Sequence, residues 1–208
     1  MREAVVFLHG ILMTGLELSV LRRRVRDCGF TVHQFNYHSV RLTPAQNAAR
    51  LREFVRGLDA DVVHFVAHSL GGIVVLHLFE QDPGLPPGEV LLLGTPVAGS
   101  SVARVFARSP MTRWLLGHSI VRGLLGDRPR WAGGRRLGMI AGTRGIGMGM
   151  LVGSALPDPN DGTVALAETR SVEIARHLSV PYGHFGMLWS PRVAEAVCHY
   201  LRHGEFPG

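Results

Sequence analysis

The 208-residue sequence contains no lysine; all 22 of its basic residues are arginine. They are spread along the chain, without a basic tail, an RNA motif or a basic–aromatic stripe, so the footprint of a nucleic-acid-binding protein is missing. No run of about 18 uncharged apolar residues occurs, and no transmembrane span is expected. The chain enters an apolar strand pattern by Ala4, without a signal-peptide layout, and a cytoplasmic location is expected. Cysteine is scarce: Cys28 and Cys198 each stand alone near the end of an expected helix. In an intracellular chain such residues are expected as buried thiols rather than a disulfide. No Cys/His spacing suggests zinc. The glycine-rich segment 142–153 fits neither dinucleotide-binding nor P-loop spacing and reads as pocket wall. Metal and cofactor are therefore both expected to be absent. No internal repeat is apparent.

What is present is apolar residue in quantity, 46% of the chain. A single domain covering 1–208 is the default at this length. Strand-like runs at 4–8, 30–37, 61–67, 89–94, 137–141 and 171–180 alternate with helical patterns. That alternation predicts a mostly parallel sheet covered on both faces. Helix starts are marked by Thr14-x-x-Glu17, by Thr43-Pro44-x-Gln46 and by Ser190-Pro191. Ala48, Leu51, Val55 and Leu58 form one buried stripe; Val193, Val197, Tyr200 and Leu201 form another. Residues 100–136 break the rhythm with an apolar, helical insertion. It reads either as a small lid or acyl-binding wall, or as simple packing on the sheet. Trp114 and Leu115 are its candidate wall residues.

The most specific stretch is Val62-Val63-His64-Phe65-Val66-Ala67-His68-Ser69-Leu70-Gly71-Gly72, with a second apolar run from Ile73 to Phe79. A buried strand meets a buried helix at Ser69, and the residues two before and two after it, Ala67 and Gly71, are small. This layout resembles the nucleophile elbow of the α/β-hydrolase superfamily, whose sharp turn leaves no room for larger neighbours. Alanine departs from the commoner glycine at the first of these positions. The resemblance runs from residue 4 to about 202 and is nearest to small bacterial serine esterases and lipases. Leu93-Gly94-Thr95-Pro96-Val97-Ala98-Gly99-Ser100 adds to it.

A serine hydroxyl needs a base, a group that orients the base, and donors for the oxyanion. The resemblance implies the chain order serine, acid, histidine. Asp161, in Asn160-Asp161-Gly162-Thr163-Val164, takes the acid role, with Asp158 as its competitor between two prolines. His184 follows the last strand and takes the base role over His177, His199 and His203. The backbone N–H groups of Ile11, after His9-Gly10, and of Leu70 are the expected oxyanion donors, while His9 itself braces the loop. The implied activity is hydrolysis of a small-molecule carboxylic ester or lipid through an acyl-enzyme. A thioesterase or acyltransferase would use the same residues, and a non-catalytic hydrolase-like binding protein is the alternative of a different class. The net charge of +6 favours contact with anionic membrane surfaces.

Overall fold

The computed structural model describes residues 2–145 and 156–208. Most of the glycine-rich segment read as pocket wall, 146–153, lies outside the described residues. Six parallel strands form one sheet in the order β2-β1-β3-β4-β5-β6. They are β1 (Glu3–Leu8), β2 (Thr31–Phe35), β3 (Val62–His68), β4 (Val90–Leu93), β5 (Leu137–Gly142) and β6 (Arg176–Val180). The last strand is shorter than the sequence pattern suggested, because turns occupy 172–173 and strand geometry starts only at Arg176. All strand C-termini lie along one edge of a parallel sheet, where ligands meet such folds.

Successive side chains on a strand face opposite sides. Val6 and Leu8 therefore join the core beneath α2 (Pro44–Arg56) and α3 (Leu70–Gln81). Val5 and Phe7 join the opposite core beneath α1 (Ser19–Asp27) and α6 (Pro191–His203). Each such buried Leu, Phe or Val stabilises the fold by about 1.5–3 kcal/mol relative to exposure. Helix α3 is buried from Leu70 to Phe79, which explains why it is apolar all round.

The helix starts follow the sequence signals in two of three cases. Thr43 and Gln46 form a full capping box on α2, and Ser190 accepts from the Val193 N–H on α6. At Thr14 only the acidic arm forms: Glu17 accepts from the N–H groups of Thr14 and Gly15, and α1 begins later, at Ser19.

The cysteines differ from expectation. Cys28 and Cys198 form a disulfide with a Cα–Cα distance of 6.5 Å, across 170 residues of sequence. The physical reason is the packing of α1 against α6, which brings Cys28, at the end of α1, within disulfide reach of Cys198, which lies inside α6 rather than near its end. Among the described residues no helix is long and apolar enough to cross a membrane.

The insertion folds as α4 (Ser101–Arg108), α5 (Pro110–Leu116) and a short 3-10 turn, Gly117–Ile120. Ser100 caps α4 by accepting from the Ala103 N–H at 3.1 Å. Glu168 accepts from the Ser101 N–H at 2.5 Å and ties α4 to the segment that follows Asp161.

Candidate active site

Ser69 sits at the turn between β3 and α3 with φ 54° and ψ −123°. A non-glycine residue in that region costs about 1–3 kcal/mol and persists only where surrounding structure enforces it. Parallel pairing enforces it from one side, since the Ser69 N–H donates to the Leu93 carbonyl at 2.9 Å. Close packing enforces it from the other: a Cβ on Gly71 would lie 2.7 Å from the His9 carbonyl oxygen. The small-residue requirement read from the sequence is thus a contact between the elbow and the loop after β1.

Asp161 lies in the segment between β5 and β6 and is 1% exposed. Its Oδ1 accepts from the N–H groups of Thr163 (2.9 Å) and Val164 (2.7 Å). Its Oδ2 accepts from Nδ1–H of His184 at 2.6 Å. That bond leaves Nε2 of the neutral ring as the acceptor. His184 follows β6 and is also buried. Asp158 is exposed and takes a hydrogen bond from Asn160 instead. His177 bonds to Thr169, and His199 to the carbonyl of Glu205. Of the late histidines only His184 meets Asp161.

The ends of β3 and β6 bring the serine and histidine segments together. Nε2–H of His68 donates to the His184 carbonyl at 3.1 Å, and the two rings lie 4.4 Å apart. Burial, followed by the neighbouring His184, holds His68 well below the ordinary histidine pKa, so it is neutral. Among the described residues Ser69 and His184 share no direct hydrogen bond. Such bonds are often long without substrate and tighten when it binds.

Gly94 leaves room for the Asp161–His184 pair. It follows β4 with φ 57°, and a Cβ there would lie 3.1 Å from both Asp161 Oδ2 and His184 Nδ1. Any side chain would press into the pair. The sequence marked Gly94 as part of a motif without revealing what its missing side chain leaves room for.

The loop after β1 carries Ile11. Nδ1–H of His9 donates to the Gly10 carbonyl at 2.8 Å, the Tyr37 hydroxyl donates to the His9 carbonyl at 2.6 Å, and Ser39 Oγ accepts from the Leu12 N–H at 3.1 Å. The rings of His9 and Tyr37 stack at 4.3 Å. Burial keeps His9 below its ordinary pKa and raises that of the Tyr37 phenol, so both stay neutral. Leu70 is the first residue of α3, and its N–H belongs to the set that a helix start leaves without an intrahelical acceptor. On the far side of the elbow, Thr95 Oγ1 donates to the Ser69 carbonyl at 2.9 Å.

Ser69, Ile11 and Phe185 line one cavity of about 230 Å³ with Phe106, Leu115, Leu116, Leu124, Thr163 and Val164. The insertion therefore forms a wall of this cavity. Leu115 is part of that wall, whereas Trp114 points outward and is 68% exposed.

A model of the alpha/beta hydrolase family matches residues 5–203. The chain is similar in structure to the mature form of the Bacillus licheniformis lipase BlEst2, with a TM-score of 0.73 and 21% identity over 90% of this chain and 86% of that one. It is also similar to the metagenomic carboxyl esterase MGS0156, with a TM-score of 0.68 and 20% identity over 87% of this chain and 64% of that one. The Vlm2 thioesterase domain matches with a TM-score of 0.57 and 18% identity over all of this chain and 95% of that domain. At these identities the likeness concerns the fold. No curated protein sequence matches the chain.

Proposed function

Since this chain belongs to the alpha/beta hydrolase family, we propose that it is a cofactor-independent serine hydrolase cleaving carboxylic esters with apolar acyl groups. The observation that carries the reading is the buried His184–Asp161 pair at 2.6 Å, beside a strained Ser69 that opens into an apolar cavity. Ser69 Oγ attacks the acyl carbon while His184 Nε2 takes the hydroxyl proton. Asp161 holds the ring in the Nδ1–H tautomer and stabilises the imidazolium. The N–H groups of Ile11 and Leu70 receive the oxyanion. Collapse of the tetrahedral intermediate expels the alkoxide, which takes the proton from His184. Water then repeats the sequence on the acyl-enzyme and releases the acid.

The test is labelling with a fluorophosphonate, followed by mass spectrometry and a p-nitrophenyl ester series. Modification of Ser69 and its loss in Ser69→Ala support the reading. A probe on another serine, or on none, removes it. Matched oxoesters and thioesters separate an esterase from a thioesterase.

The whole chain is read as one domain in which 100–136 walls the acyl site. Its outer face suits a lipid surface. Leu12 and Phe185 line the cavity and are exposed, and Met111 and Trp114 are exposed on α5, which supplies Leu115 to the same cavity. On α4 and α5 the sequence carries Arg104, Arg108 and Arg113 without an Asp or Glu, and of these Arg104 is already paired with Glu168. Two cationic side chains, Arg108 and Arg113, beside exposed aromatic and aliphatic ones suit anionic lipid headgroups above an apolar layer. The disulfide also bears on location, because such bonds persist in oxidising compartments more readily than in the cytoplasm expected from sequence.

A further inference from the structure

Two peptide groups near Ser69 are each held by their carbonyl oxygen. In a trans peptide the C=O and the N–H point in opposite directions, so a donor fixed on the oxygen dictates where the N–H is aimed. The Gly10 carbonyl shares its peptide group with the Ile11 N–H, and it accepts from His9 Nδ1 at 2.8 Å. The Ser69 carbonyl shares its peptide group with the Leu70 N–H. It accepts from Thr95 Oγ1 at 2.9 Å and from the Gly72 N–H at 3.0 Å. Both peptides are trans. The same arrangement thus occurs twice, built by side chains from two different strand ends.

We propose that His9 and Thr95 are positioning residues: each pins the carbonyl of one peptide group and so aims the Ile11 and Leu70 N–H groups at the oxyanion. The proposal rests on the reading of Ser69 as the nucleophile. Neither residue lines the cavity. The Ile11 peptide has the greater need of a brace, because it lies in a loop beside Leu12, whose φ is 56° and whose side chain is 57% exposed. Packing of Leu12 cannot hold that conformation. Hydrogen bonds hold it instead, from Tyr37 at one end of the loop and Ser39 at the other. His9 and Thr95 are both buried, so water does not compete for the carbonyls they hold. A donor fixed before the reaction begins is worth far more than one that must reorient during it.

The test compares His9→Phe and Thr95→Val, which remove the donors, with His9→Asn and Thr95→Ser, which keep one. All rates are expressed per Ser69 titrated with fluorophosphonate, so misfolded protein does not count. Deleting an oxyanion donor outright costs about 10²–10³ in kcat, and misaiming one is expected to cost roughly 10–100-fold. The expected result is that loss in kcat for the Phe and Val variants, with KM little changed. Their Ki for a trifluoromethyl ketone, which forms a tetrahedral adduct on serine, should weaken in parallel. The pH profile should keep its shape, and the Asn and Ser variants should recover most of the activity. Unchanged kcat per titrated site with unchanged ketone affinity in both the Phe and Val variants overturns the proposal. A merely structural role gives the same outcome, fewer titratable sites with normal turnover at each. If one variant fails to fold, the other peptide group still decides the matter. An unlabelled wild type shows instead that the reading of Ser69 is wrong, and the proposal falls with it.

Discussion

Asp161 and His184 are joined twice. The carboxylate accepts from the imidazole Nδ1–H at 2.6 Å, and the Asp161 carbonyl accepts from the His184 main-chain N–H at 2.8 Å. The second bond fixes the histidine backbone relative to the acid, so the side-chain bond forms without a search. The carboxylate is itself held by the Thr163 and Val164 N–H groups. Each partner is therefore held in place by hydrogen bonds, as the proposed reading of a preorganised site requires.

Asp161→Asn should keep the fold and the main-chain bond while reversing the hydrogen-bond logic at Nδ1. Steady-state hydrolysis should fall by about 10³–10⁴-fold, by analogy with other triads. Asp158→Asn should change kcat little, because that side chain is exposed and bonds only to Asn160. The reverse pattern would move the acid to Asp158.

Leu115 and Trp114 should separate acyl binding from surface binding. Leu115→Ser should reduce kcat/KM progressively as p-nitrophenyl esters lengthen, since each methylene contact is worth about 1–3 kcal/mol. Trp114→Ser should leave hydrolysis of soluble esters unchanged. It should weaken co-sedimentation with phosphatidylglycerol vesicles, whereas the preference for these over phosphatidylcholine vesicles should be lost in Arg108→Gln with Arg113→Gln. Equal binding of wild type to both lipids would remove the anionic-surface assignment.

Stability should decline on the acid side. Burial, followed by the charge of Arg135, lowers the pKa of His64 from 6.5 to about 4. His68 is held still more firmly neutral by its burial. The unfolded chain therefore binds more protons than the folded chain below the ordinary histidine range. The stabilisation is fully present above about pH 6.5 and is lost as the pH falls through the folded values. Urea denaturation between pH 8 and pH 4 measures it. His64→Asn, which can still accept the Glu89 N–H now bound by the ring, should flatten part of the slope. A slope of opposite sign would contradict the assignment.

Reducing the disulfide should destabilise the fold without abolishing the chemistry. A loop of 170 residues corresponds to about 5 kcal/mol in the chain-entropy model. Denaturant titration with and without dithiothreitol, beside Cys28→Ser, measures the loss. No shift in midpoint, together with two free thiols in the native protein, would show that the bond does not form.

Much of the candidate site's geometry is legible in the sequence because its parts are local. Ala67, Ser69 and Gly71 lie within five consecutive residues, and the apolar runs on either side identify the strand and helix that bend the turn. Asp161 and His184 required chain order in addition, since nothing local distinguishes Asp161 from an ordinary Asp-Gly turn. Contacts between distant segments were not legible. The pairing of Cys28 with Cys198 depends on how α1 meets α6. The space at Gly94 depends on where two later loops return. The outward face of Trp114 was missed because α5, at seven residues, is too short for its period to identify a buried side. Thr14 read as a cap, but the chain makes a 3-10 turn first and spends only the Glu17 arm of the box.

The bond between Cys28 and Cys198 also changes the topology of the molecule. Residues 28–198 become a closed ring carrying two short tails, and every strand except β1 lies within it. A single backbone cut in the insertion would open that ring without producing two molecules. Both halves would stay tethered beside the sheet, where they could re-pair. A protease acting on the exposed turns of 100–136 would thus leave a single nicked molecule, heavier only by the water consumed, under oxidising conditions, and fragments only after reduction.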